Sequence, residues 1–168
     1  LFVQGLLHRS FPQNGTHTNP SNERLEFLGD SVLNLIVGEY LYHKYPESPE
    51  GDLTKFRSRL VNRKALAAYA NALELSRFIL MSPSAAQSVG KGYETIVSDP
   101  FEALVAALYL DGGFETARSF VERQVTAAIQ AGTVITVDEN YKSRLLEYAQ
   151  SHGFGVPRPQ RAQGQALR

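Results

Sequence analysis

Residues 22–33 read Asn-Glu-Arg-Leu-Glu-Phe-Leu-Gly-Asp-Ser-Val-Leu, and no other stretch restricts the fold as much. Glu23, Glu26 and Asp30 stand at i, i+3 and i+7. On a helix of 3.6 residues per turn, the three carboxylates fall within about 60° of one another. Like charges on one stripe repel, so the arrangement costs stability unless a cation is bound there. Leu25, Phe27, Leu28, Val32 and Leu33 are threaded between the acids, which is too much apolar surface for an exposed helix. The stripe belongs beside a core or an interface, where a divalent metal is a natural counter-charge.

The rest of the chain predicts an all-α fold. Residues 1–8 are a short apolar stretch, and residues 10–21, rich in Ser, Pro, Asn, Gly and Thr, predict a loop. A long helix runs from Asn22, its N-cap, to near Tyr45, with Pro46 as the stop. Pro49 and Gly51 mark a turn, and helical periodicity resumes over 52–60 and again from Asn62 to about Leu73. Residues 81–92, with Pro83, Gly90 and Gly92, predict irregular chain with room for one short helix. Asp99-Pro100 predicts a fresh helix start, Asp99 as N-cap and Pro100 at the first helical position. Asp111-Gly112-Gly113 ends that helix, and residues 114–131 form another. Residues 132–140 are expected to be a linker and 141–152 a further helix; the tail from Val156 is expected to be disordered.

Composition excludes several classes. The chain has no cysteine, which rules out disulfides, thiolate zinc sites and cysteine nucleophiles and is compatible with a reducing cytoplasm. No apolar run approaches the roughly 18 residues of a membrane span. Leu1 in place of an initiating Met fits a fragment, with no secretory signal in view. The 17 basic and 17 acidic residues cancel, so the whole-chain basic excess usual for a nucleic-acid binder is absent. The cations are nonetheless clustered: Lys55, Arg57, Arg59, Arg63 and Lys64 follow one another with no acid between. Alone, such a run describes a solvated helix face. The histidines, His8, His17, His43 and His152, show no paired ligand spacing and are assigned structural or surface roles.

Asp99 and Glu102, at i and i+3, put a second acidic pair on one helix face. Helix capping and dipole compensation account for Asp99, and a capping box accounts equally for Glu102. Together with Glu23, Glu26, Asp30 and Glu50, however, the pair completes an oxygen-rich, cysteine-free set. Such a set suits Mg²⁺ or Mn²⁺ rather than zinc, and two such ions can drive phosphodiester hydrolysis. Other helical magnesium enzymes also use acidic helix faces.

These residues resemble the ribonuclease III family of double-strand-specific endoribonucleases. Residues 22–33 are similar to the family signature. His8-Arg9-Ser10 resembles its Thr-His-Arg-Ser segment, with Leu7 where Thr is usual, and Glu50-Gly51-Asp52 resembles its acidic turn. Asp99-Pro-Phe-Glu102-Ala-Leu followed by Tyr109-Leu-Asp-Gly-Gly113 resembles its second acidic motif. The similarity spans residues 1–131, which it implies are the nuclease domain, working as a symmetric homodimer. It implies that Glu26, Asp30, Asp99 and Glu102 hold Mg²⁺, with Mn²⁺ able to substitute, and that Asp30, Glu102, Glu23 and Glu50 are catalytic, the last two as supporting acids. Phe27 matches a position that inserts into the partner subunit, although an ordinary core Phe would look the same. The implied substrate is double-stranded RNA of rRNA or mRNA processing, cut to 5′-phosphate and 3′-hydroxyl ends with a short 3′ overhang. No small-molecule cofactor or membrane is implied.

With RNA as substrate, Lys55, Arg57 and Arg63 become candidate backbone contacts, because A-form duplexes are recognised largely through phosphates and 2′-hydroxyls. Residues 141–150 resemble the first helix of a double-stranded-RNA-binding domain, whose remaining strands and second helix are missing from 151–168. One helix cannot form a core, so that module is absent or cut away. Pro100 departs from the small or apolar residue usual at its place and biases Asp99 away from helical ψ. The alternative reading is a catalytically silent relative, a helical dimer that binds duplex RNA or associates with the ribosome. Such proteins lose the acids, whereas all six are present here.

Overall fold

Periodic apolar residues and well-placed stop signals produce a helical assembly whose geometry is seen in a computed structural model. It describes residues 1–12, 20–87, 90 and 92–134. Among these, the regular elements are α1 (Phe2–Gly5), α2 (Glu23–Lys44), α3 (Glu50–Leu60), α4 (Arg63–Ala72), a 3₁₀ turn (Leu75–Arg77), α5 (Pro83–Gln87) and α6 (Tyr93–Gln130). No helix among them is long and apolar enough to cross a membrane. Most of the 132–140 linker and all of the 141–168 segment lie outside the described residues.

α2 follows its sequence signals closely, starting after Asn22 and stopping before Pro46. It buries Leu25, Gly29, Val32, Leu33, Ile36, Val37 and Leu41 on one face, while His43 and Lys44 in its last turn complement the helix dipole. Its opposite face leaves Phe27, Leu35 and Tyr42 exposed, Phe27 to 78%. Phe27 is therefore not a core residue of this chain. α4 starts where Asn62 accepts a hydrogen bond from the Ala65 N–H at 2.9 Å, a side-chain N-cap. The buried Tyr69 hydroxyl donates to the Leu60 carbonyl at 3.0 Å, tying α4 to the end of α3.

α2 and α6 make the most extensive contact of the fold, and α4 covers α6 beside it. Tyr69, Phe101 and Phe120 pack in series, with ring centroids 5.4 and 5.8 Å apart. Full burial of a Phe such as Phe101 contributes about 2–3 kcal/mol, so the residue next to Glu102 is a strong anchor.

α6 departs from expectation at its start. Asp99 is not an N-cap and Pro100 does not open a helix: α6 begins at Tyr93, with Gly92 as N-cap, and Pro100 lies inside it. The proline deletes one helical hydrogen bond, but Val97, Ser98, Pro100 and Phe101 are all buried, and tertiary packing overrides local preference. The stop expected at 111–113 is a kink: Gly113 adopts φ 79° and ψ −179°, a conformation suited to glycine, and helix resumes at once.

The N-terminal segment is fastened by main-chain bonds. The Leu80 N–H donates to Leu6 O and the His8 N–H to Leu80 O, both at 2.9 Å, an isolated parallel bridge centred on Leu7. The Asn22 N–H donates to Leu7 O at 2.9 Å. Segments far apart in sequence, around residues 8, 22 and 80, are thus held together.

Candidate metal centre

The site rests on a backbone crossing. A Cβ on Gly29 would lie 1.8 Å from the carbonyl oxygen of Glu102 and 2.5 Å from its carbonyl carbon. Only glycine fits, so α2 and α6 touch main chain to main chain. Glu26 lies one turn before Gly29 and Asp30 directly after it; Asp99 lies one turn before Glu102. The crossing therefore brings the two acidic motifs face to face. Glu26, Asp99 and Glu102 each offer a carboxylate oxygen, and these atoms all lie within 4.8 Å of one another. Pro100 leaves Asp99 in this group.

Three carboxylates this close oppose one another's ionisation. Burial pushes the Glu102 carboxyl up to about 8, and the charges of Asp30, Glu26 and Asp99 add to the rise, with Arg63 acting against it. Burial also raises Glu26, followed by Asp99 and Glu23. Asp99 is raised by burial against a hydrogen bond from Ser98 and the charges of Arg63, His8 and Arg9. A cation bound among the three oxygens relieves all three shifts at once. The donors are all oxygen, the kind hard divalent ions take, so the residues fit Mg²⁺ or Mn²⁺.

The other expected site residues divide. Asp30 stands at the exposed rim, close enough to raise Glu102, and accepts from Asn34 Nδ2 at 2.9 Å. Glu23 lines a neighbouring cavity together with Glu26 and Asp99. Arg63 lines the acid cavity itself, with Glu26, Asp99 and Glu102. Glu50 is elsewhere in this chain: it accepts from Thr54 Oγ1 at 3.0 Å and lines a groove with Gly38, Tyr42 and Arg57. Gly38 is eight residues beyond Asp30, which along α2 is roughly 12 Å. Lys55 pairs with Asp52 at 3.6 Å.

One residue assigned a structural or surface role lies beside the site. His8 lines the cavity with Glu23, Glu26 and Asp99. Burial and Arg9 lower its ring below the ordinary range while Asp99 and Glu23 act to raise it. Its only sequence signal was the His8-Arg9-Ser10 resemblance, since ligand spacing cannot reveal a group delivered by a chain segment pinned through Leu80.

Comparison with known proteins points to one family. The Ribonuclease-III-like family model matches residues 1–129. Ribonuclease 3 of Chlorobium luteolum is 41% identical over 159 residues, covering 94% of this chain and 58% of the relative. A solved nuclease domain of ribonuclease III from Campylobacter jejuni, described for flexibility in a region involved in dimer formation, superposes with a TM-score of 0.69. It is 45% identical, covering 75% of this chain and 85% of that one. Dicer from Pichia stipitis is similar at a TM-score of 0.53 and 26% identity, covering 87% of this chain and 65% of that one. The chain spans 58% to 64% of the length of the first curated relatives it matches.

Proposed function

The chain belongs to the ribonuclease III family, and from that premise we propose that it is an endoribonuclease that hydrolyses phosphodiester bonds of double-stranded RNA. The observation that carries this reading is the meeting of Glu26, Asp99 and Glu102 within 4.8 Å. Glu26, Asp99 and Glu102, with Asp30 at their rim, would hold Mg²⁺, or Mn²⁺ in its place. When bound, such an ion would supply Lewis-acid charge and an activated water for phosphodiester hydrolysis. Glu102 releases its proton to bind, because at about 8 it is mostly protonated at neutral pH in the metal-free chain. Arg63, beside the three acids, tempers their repulsion and meets the phosphate oxygens of the substrate. Glu23 supports the site from the adjoining cavity.

The exposed Phe27, with Leu35 and Tyr42 on the same helix, supports homodimer formation through α2, each subunit cutting one strand. Glu50 then serves as a supporting acid on its own groove, and Lys55 and Arg57 as backbone contacts. Products carry 5′-phosphate and 3′-hydroxyl ends, and the setting is cytoplasmic rRNA or mRNA processing. Residues 1–131 are assigned to the nuclease domain, 132–140 to a linker and 141–168 to a partial first helix of a double-stranded-RNA-binding domain with a tail. A non-cutting duplex-binding relative has no need of three converging carboxylates.

The test is cleavage of a long RNA duplex with Mg²⁺ and with EDTA. Cutting that needs the metal and disappears in Glu102→Ala, with fold and dimer intact, is the expected result. A duplex left whole by the native chain, or cut normally by Glu102→Ala, refutes the site.

A further inference from the structure

Asn22 is the unexplained residue of the signature. Only 2% of it is exposed, yet among the described residues its Nδ2 is the buried side-chain atom with no hydrogen-bond partner. It occupies the N-cap position of α2 without making a side-chain cap bond. A buried amide without a partner costs stability, and such groups point to a missing ligand. Asn22 lines a cavity of about 470 Å³ whose other walls include His8, Arg9 and Gly92.

Both signs line the cavity, Glu23, Glu26 and Asp99 as well as Arg9, so its donors favour an anion once a cation holds the acids. Gly92, the N-cap of α6, has no side chain to cap with, so the positive ends of α2 and of the limb of α6 before the Gly113 kink open on one cavity. Among the described residues, Arg9, paired with Glu23 at 4.0 Å, is the one cationic side chain besides the His8 ring in the lining. His8 is set as a donor: its Nδ1 accepts from the Ser10 N–H at 3.1 Å and lies 2.7 Å from Ser10 Oγ. Ser10 Oγ in turn accepts from the Ser82 N–H at 3.2 Å. With Nδ1 taken as an acceptor, the neutral ring carries its proton on Nε2. The position of the cavity selects which anion. Glu26 and Asp99 line both this cavity and the one holding Glu102, so they form a shared wall between it and the metal centre.

Resting on the nuclease reading above, we propose that the cavity walled by His8, Arg9 and Asn22 receives a backbone phosphate of the RNA strand adjoining the scissile one. This site sets the register of the strand on the metal centre, with the Asn22 amide and the His8 Nε2–H as its neutral donors and Arg9 as its charge. A divalent ion on the shared wall offsets the acids that line the same space.

The test scans single neutral linkages through the substrate. Duplex RNAs carry one 2′-deoxy methylphosphonate at each position within two nucleotides of the cut, and cleavage is measured for the native chain, Asn22→Ala and His8→Ala. For the native chain, one linkage beside the cut is expected to raise KM roughly tenfold, the size of a lost charge-assisted hydrogen bond. Asn22→Ala raises KM similarly on the all-phosphate duplex and adds nothing further on that one modified duplex. His8→Ala repeats the pattern should Asn22→Ala fail to fold. Melting separates this role from a structural one: removing an unpartnered donor leaves the Tm of Asn22→Ala unchanged or raised. Additive effects at every linkage, or a lowered Tm with kcat and KM both changed on all duplexes, overturn the proposal. A native chain that leaves the all-phosphate duplex uncut removes the nuclease reading, and this inference with it.

Discussion

The two limbs of α6 treat charge in opposite ways. Beyond the Gly113 kink, Arg118 meets Glu115 and Glu122 of its own helix at 3.6 and 3.1 Å, spaced so that opposite charges meet, and Glu39 of α2 at 3.9 Å. Before the kink, Asp99 and Glu102 are brought against Glu26, like against like, within 4.8 Å. The distal limb meets charge with opposite charge and calls for no bound ion. The proximal limb is stable only to the extent that its acids stay protonated or find a cation. Local charge balance marks a structural helix, and enforced imbalance in a buried place marks a site.

The sharpest way to break the contrast is to remove one proximal charge without changing shape. Glu102→Gln is expected to reduce duplex cleavage by roughly a thousandfold or more, about 4 kcal/mol of barrier, while raising the Tm of the metal-free chain. Lowered stability in EDTA would mean that the acids do not oppose one another. Next comes Gly29→Ala, which places a methyl group on the Glu102 carbonyl. Overpacking against backbone costs about 3 kcal/mol, measurable by denaturant unfolding, and cleavage should fall with the displaced acids.

The smaller effects concern pH and the distal limb. The folded chain holds the Glu102 proton up to about 8, whereas its ordinary value is 4.5. Folding thus takes up a proton between these values, so this group's share of stability is full below about 4.5 and is lost as pH rises through 8. Metal-free unfolding should show a fall of roughly 2–4 kcal/mol from pH 5 to pH 9, largely absent in Glu102→Gln. Added Mg²⁺ should raise Tm more at pH 8 than at pH 6. The least change is expected from Arg118→Ala: a half-exposed ion-pair cluster at the surface contributes little, so Tm and cleavage should stay near native values. A large loss there would erase the distinction between the limbs.

Much of this was legible in order and type of residue. Asn22 and Pro46 bracket α2, Asn62 caps α4, and the Glu23–Asp30 spacing announced a carboxylate stripe. What stayed hidden was distance. Glu50 matched the acidic pattern but sits in a groove farther along α2, because a motif records identity and not where the next helix docks. Pro100 suggested a helix start, since local preference cannot register that Val97 and Ser98 are buried and carry the helix through it. Phe27 was ambiguous until exposure distinguished it from a core residue. His8 escaped because its place depends on main-chain bonds to Leu80, which no side-chain pattern encodes.

The crossing at Gly29 makes the centre portable. Its spacing is written in peptide geometry rather than in rotamers or in the surrounding core. Two short segments, residues 23–30 and 99–102, define it almost completely. Grafted onto an unrelated pair of helices that meet through a glycine at the same angle, they should carry the acid cluster and its affinity for divalent ions with them.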